Sequence, residues 1–164
     1  MTPAVFIDGL RFSWQPGLEP VLDIPALTIA RQERVFIAGP SGSGKTSLLS
    51  LITGIALPTH GELRILGTSL TALRGAARDR FRADHVGIVF QLFNLLPYLS
   101  VLENVLLSCQ FSAVRAGRAA ARSGSAAAEA VRLLGRLGLG DPALQRRAAT
   151  ALSVGQQQRV AAAR

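Results

Sequence analysis

One stretch, Gly39-Pro40-Ser41-Gly42-Ser43-Gly44-Lys45-Thr46, constrains this chain more than any other. It matches G-x-x-x-x-G-K-[ST], and its surroundings suit the pattern: the apolar run Val35–Ala38 precedes it and the helically spaced Lys45–Ile52 follows. Glycines let the backbone curl until successive N–H groups point at one anion. The helix that follows adds its free N–H groups and the positive end of its dipole. Lys45 is placed to reach the β- and γ-phosphates, and the Thr46 hydroxyl can ligate Mg²⁺. The alternative is a glycine-rich surface turn, and the flanking strand and helix argue against it. Of 18 basic residues, Lys45 is the sole lysine. A compact ammonium fits inside a tight phosphate loop as a point charge, whereas a planar guanidinium is bulkier and needs a fork of acceptors.

Composition bounds the rest. A chain of 164 residues suits one domain with a real core, and 49% apolar content predicts that it folds. The formal charge of +8 fits an anionic partner, but the same surplus arises from arginine-rich coding and carries little weight. The single cysteine, Cys109, excludes an internal disulfide and reads as a small buried apolar residue. No secretory signal opens the chain, and no run reaches the roughly 18 to 20 apolar residues of a membrane span. A cytoplasmic location is expected, with any membrane reached through a partner.

Strands are expected at Val5–Ile7, Arg11–Trp14, Ala26–Ala30, Val35–Ala38, Gly61–Leu66 and Val86–Phe90. Helices are expected at Lys45–Ile52, with Gly54 as its stop, at Leu70–Ala83 and at Val101–Ser108. The Ala-, Arg- and Leu-rich block from Ser112 to Leu139 is expected to be helical, punctuated by Gly124, Gly135 and Gly138. Asp141-Pro142 opens a short helix, and a last helix follows Leu152–Gln156.

A phosphate loop alone leaves kinases, GTPases, helicases and transport ATPases open. Two further features narrow the choice. Gln91 follows the strand Val86-Gly87-Ile88-Val89-Phe90, and Leu152-Ser153-Val154-Gly155-Gln156 precedes a helix. Small Ser and Gly residues at a helix start make an anion site from backbone N–H groups, although Ser153 alone reads equally as an N-cap. Together these pieces resemble the ATP-binding subunit of ABC transporters. The loop is similar to that family's Walker A motif, Gln91 to its Q-loop glutamine, and the Ser153 segment to its signature, with Val154 where a glycine is usual. The run from Gln91 to Val105 resembles the bacterial lipoprotein-releasing and macrolide-export subgroup. Trp14 sits where the family places an adenine-stacking aromatic; a core or edge role is its other reading.

The resemblance implies an α/β fold: a P-loop NTPase core with an N-terminal antiparallel β subdomain and a helical signature subdomain, incomplete at the C-terminus. It implies one domain, divided as 1–91, 92–154 and the start of the signature helix at 155–164. ATP and Mg²⁺ are the implied cofactors. Gly39, Pro40, Ser41, Gly42, Ser43, Gly44, Lys45, Thr46 and Ser47 would hold the nucleotide, and Thr46 and Gln91 the metal. Ser153 and Gly155 of a second copy, packed head to tail, would close on the γ-phosphate. Transmembrane permease subunits are the other implied partners, placing the chain at the inner face of the cell membrane. No nucleic acid is expected, because no sustained heptads separate Gln91 from Ser153 as they would in an ABC-type DNA-maintenance ATPase. A non-catalytic nucleotide-sensing module is the remaining alternative.

The family also needs a strand ending in Asp-Glu after the signature helix, to hold Mg²⁺ and polarise water. Val5-Phe6-Ile7-Asp8 lies before the loop and is followed by Gly9, so it does not qualify. His60 and His85 lie in no suitable motif and read as surface or loop residues. The 164 residues are therefore expected to be a fragment that binds ATP and hydrolyses it negligibly. Magnesium-dependent turnover by the chain, abolished in Lys45→Ala, would overturn this.

Overall fold

The computed structural model describes residues 2–15 and 17–164. Its first unit is built on β1 (Val5–Phe12), which pairs antiparallel with β2 (Leu22–Ile29) on one side and β3 (His60–Ile65) on the other. A two-residue strand, β4 (Thr68–Ser69), completes the order β2-β1-β3-β4. Leu66 and Gly67 both take positive φ, as a tight hairpin between β3 and β4 requires.

The two strands expected around Asp8-Gly9 are one. The register of β1 against β3 shifts between Asp8 and Arg11, a bulge that absorbs the glycine without ending the ladder. Backbone crowds this spot: a Cβ on Gly61 would lie 2.3 Å from the Gly9 carbonyl oxygen. The bulge resets the alternation, so Val5, Ile7, Leu10 and Phe12 all face the core. β2 begins at Leu22 rather than Ala26 because it pairs with β1 as far as Phe12. Against this face packs α1 (Lys45–Ile52), through Leu48 and Leu51, joined by Leu63, Ile65 and Leu70. Gly54, at φ 71, follows α1 as expected.

Helix α2 (Gly75–His85) starts later than the expected Leu70, since Leu70 is buried and its N–H bonds the Leu63 carbonyl. His60 opens β3 and His85 closes α2, both exposed.

Two expected strands do not form. Val35–Ala38 and Val86–Phe90 take no regular structure, and Phe36 is 91% exposed. A strand exists through the neighbours that take its N–H and C=O groups. Among the described residues, no strand pairs with either segment.

Two compact units are resolved, one ending at Arg82 and the other beginning at Ala83. The second holds α3 (Val101–Gln110), α4 (Ala113–Ser123), α5 (Ala126–Arg136), α6 (Pro142–Gln145), a 3₁₀ turn at Ala149–Ala151 and α7 (Val154–Ala163). Val101, Val105, Ala130, Leu134, Leu139, Leu152, Val160 and Ala163 form its core. Ser100, Ser112, Ser125, Asp141 and Ser153 each cap the helix they precede. Glu103 closes a capping box with Ser100, whose hydrogen bonds hold its carboxyl below the ordinary glutamate range. Gly124 and Gly138 punctuate the helical block at positive φ, whereas Gly135 lies within α5. Cys109 is half-buried rather than buried.

Glu129 ties α4 to α5. Its carboxylate accepts two hydrogen bonds from Arg132, both 2.7 Å, and one from the Ser123 hydroxyl, with Arg122 at 3.6 Å. The Arg132 bonds, then Ser123, hold its pKa at about 2 against an ordinary 4.5. The pKa is lower in the folded chain, so this network stabilises it fully above pH 4.5 and progressively less as pH falls toward 2. Acid titration of α-helical signal should therefore show Glu129→Gln already weakened at neutral pH and less sensitive than the parent chain between those values.

Candidate functional site

The loop Gly39–Thr46 is shaped by the sheet beneath it. Gly44 is the N-cap of α1, at φ 86. A Cβ there would lie 2.5 Å from the Leu22 side chain and 3.2 Å from the Val21 carbonyl oxygen, so only glycine allows the loop to settle against the start of β2. No side chain caps α1, and no acidic residue lies in its first turn. Each other α-helix with a described N-cap is closed by a serine or an aspartate. The start of α1 keeps its N–H groups and dipole available to an external anion.

Lys45 is folded back over this loop. Its Nζ donates to the carbonyls of Gly39 (2.8 Å) and Pro40 (2.6 Å) and lies 3.4 Å from Ser43 Oγ. Among the described residues no carboxylate is paired with it. The ammonium is held by neutral oxygens that a phosphate can outcompete, because hydrogen bonds between charged partners are about twice as strong as neutral ones. Pro40, Ser41, Gly42, Ser43 and Thr46 are exposed, while Ser47, one residue on, is buried. The Thr46 carbonyl accepts a 2.9 Å hydrogen bond from Ser50 Oγ, and the residue is exposed.

Trp14 belongs to the same unit. β1 ends at Phe12, not at Trp14. The indole stands edge-on to Phe12, with ring centroids 4.9 Å apart and planes at 78°, and stays 59% exposed. Phe12 pairs with Leu22, and Leu22 abuts Gly44. One packing chain thus leads from the aromatic to the phosphate loop.

In the second unit, Gln91 is exposed and enters a tight turn. The Phe93 N–H bonds the Phe90 carbonyl at 3.0 Å, and the Asn94 N–H bonds that of Leu92 at 2.7 Å. Phe93 and Asn94 have φ of 59 and 48, rare for residues with a Cβ. Arg164 donates to both their carbonyls, at 2.9 and 2.6 Å, and partial burial pushes its pKa below the ordinary arginine value.

Ser153 caps α7 in a capping box. Its Oγ accepts from the Gln156 N–H at 3.3 Å, and its own N–H donates to Gln156 Oε1 at 2.9 Å. The hydroxyl proton remains available to an outside acceptor. Val154 is 70% exposed and Gly155 is exposed; a Cβ on Gly155 would meet nothing within 4 Å. No contact within the chain requires glycine there, although glycine costs a helix about 1 kcal/mol relative to alanine.

Trp14 and Gly39–Ser47 thus lie in one unit, and Gln91, Ser153 and Gly155 in the other. Among the described residues no group of three or more His, Cys, Asp or Glu is placed to hold a metal ion. The Thr46 hydroxyl and the Gln91 amide each carry a hard oxygen donor of the kind Mg²⁺ accepts. Sequence reasoning missed Arg164 and Asn104. Asn104 carried a signal, a polar residue inside the apolar stripe of α3; Arg164 carried none.

Losing the cap in Ser153→Ala should cost the second unit about 1 kcal/mol. Urea unfolding followed by circular dichroism would read this, and Ser153→Asn should recover most of it.

The family model described as ABC transporter matches residues 22–164. The lipoprotein-releasing system ATP-binding protein LolD of Anaeromyxobacter dehalogenans (strain 2CP-C) is 41% identical over 99% of this chain and 66% of its own length. An uncharacterized ABC transporter ATP-binding protein of Mycobacterium tuberculosis (strain CDC 1551 / Oshkosh) is 39% identical over 99% of this chain and 62% of its own. The chain spans about two thirds of the length of these relatives. Among solved structures, the dimeric bacterial ABC transporter cassette MJ0796 superposes with a TM-score of 0.81 at 34% identity, covering 97% of this chain and 67% of that one. The same cassette in a post-hydrolysis state bound to ADP and Pi gives 0.78.

Proposed function

This chain belongs to the ABC transporter family, and on that premise we propose that it is the ATP-binding part of a transporter of the lipoprotein-releasing type. The observation that carries the reading is the uncapped start of α1 behind Gly44, with Lys45 resting on neutral carbonyls above it. It is a preformed cradle for a polyphosphate. ATP would lie with its phosphates over Gly39–Ser47 and its base on the exposed face of Trp14. On binding, Lys45 would exchange the Gly39 and Pro40 carbonyls for phosphate oxygens. Mg²⁺, carried in with the nucleotide, would take the Thr46 hydroxyl and the Gln91 amide as ligands and offset phosphate charge.

A second copy would complete the site. Ser153, Val154 and Gly155 are exposed at a helix start, and the open space at Gly155 suits an approach from outside the chain. The Ser153 hydroxyl can donate to a γ-phosphate while still capping α7. The MJ0796 cassette, to which this chain is similar, is dimeric. Among the described residues no helix is long and apolar enough to cross a membrane. As the resemblance to transporter ATP-binding proteins suggests, coupling to transport would run through transmembrane permease subunits.

The sole lysine makes the test direct. An amine-reactive reagent has one side-chain target here, and mass spectrometry separates it from the N-terminal amine. Mg-ATP should protect Lys45 from labelling. Lys45→Ala should weaken ATP binding by about ten- to a hundredfold, the worth of a strong charge-assisted contact, and Lys45→Arg should not restore it. Equal labelling with and without nucleotide, together with unchanged affinity in Lys45→Ala, would overturn the reading.

A further inference from the structure

The turn after Gln91 is held from two sides. At its far end stands Asn104, fully buried in α3. Asn104 Oδ1 accepts the Leu96 N–H at 2.8 Å, and Nδ2 donates to the carbonyls of Leu96 (3.1 Å), Leu99 (3.3 Å) and Ser100 (3.0 Å). At its near end stands Arg164, the C-cap of α7, whose two terminal nitrogens grip the carbonyls of Phe93 and Asn94. Those two residues are consecutive, carry side chains and lie in the left-handed region. Such a conformation persists where the surroundings over-determine it. Burial supplies only part of that here, since Phe93 is half-buried and Asn94 is exposed. Hydrogen bonds must supply the rest, and the charged pair from Arg164 are the strong ones.

We propose that Arg164 is the positioning residue for Gln91: its guanidinium fork fixes the left-handed turn and makes the placement of Gln91 follow α7. α7 is the helix that Ser153 and Gly155 open. One rigid element then carries both the group offered to a partner copy's phosphate and the anchor of the group offered to the metal. A displacement of α7 when a second copy closes on ATP would be felt at Gln91 through two carbonyl contacts. Lysine should substitute poorly, because its shorter side chain ends in a compact ammonium that lacks the planar fork setting the two bonds in fixed directions. This deepens the nucleotide reading above and rests on it for the role of Gln91.

The test compares the full chain with Arg164→Met and Arg164→Lys. The first readout is amide exchange at Phe93 and Asn94, whose N–H bonds exist only in the turn. Both variants should exchange there about tenfold faster or more, with α3 unchanged. The second readout is ATP affinity, with Mg²⁺ and with EDTA. Affinity should fall about tenfold with Mg²⁺, the usual effect of losing an outer-shell positioning contact, and stay the same in EDTA. Unchanged exchange in both variants overturns the clamp, as does faster exchange spread through α3. Faster exchange at the turn with Mg-ATP affinity unchanged, or lowered equally in EDTA, overturns the positioning of Gln91. If the parent chain binds no ATP, the nucleotide reading fails and the positioning role falls with it, while the exchange readout still decides the clamp.

Discussion

The backbone N–H groups at the start of α1 have no side-chain partner, and the function proposed here depends on that. A helix end left open in water is a mild liability, which serine and aspartate remove at the other capped helices of this chain. At α1 the capping position is instead given to Gly44, because the loop must approach Leu22 and Val21 more closely than any Cβ allows. Packing against the sheet and openness to an anion therefore share one cause. The residue that lets the loop rest on β2 is also the one that cannot cap the helix.

The same economy explains Lys45. With no carboxylate paired to it among the described residues, its charge is met by carbonyl dipoles of its own loop. A carboxylate partner would hold the lysine tightly and compete with phosphate. Carbonyls keep it ordered and release it to a stronger acceptor. Trp14 follows from the sheet in turn: β1 ends at Phe12, the indole stands on that ring, and Phe12 and Leu22 carry the placement across to Gly44.

How much of this was legible in the sequence depends on whether the signal was local. Gly39–Thr46, the Ser153 cap and the Asp141-Pro142 start are written in short patterns, and the structure forms them. Val35–Ala38 and Val86–Phe90 carry equally good strand composition but form no ladder, because pairing is a property of neighbours and not of the segment. Asp8-Gly9 read as a break and proved a bulge, since the distinction lies in Gly61 on another strand. Asn104 was half legible, as a polar residue on an apolar stripe. Arg164 was not, because its partners lie on a distant turn and an arginine near a helix end is an ordinary sight.

The strain at Phe93 and Asn94 is what gives the Arg164 contact its meaning. A relaxed turn would keep its shape without help, and an arginine laid across it would add stability and nothing else. A turn held in a costly conformation behaves differently: its shape is conditional on the clamp, so whatever moves the clamp moves the turn. Asn104 is buried and bound on every side, which makes it a fixed post on α3. Arg164 is half-buried, at the end of α7, and grips by two bonds alone. The segment carrying Gln91 therefore has one rigid end and one conditional end, and the conditional end is tied to the helix that opens with Ser153 and Gly155. The proposed nucleotide contact at the start of α7 and the proposed metal contact at Gln91 would then be mechanically linked without any side chain spanning the two.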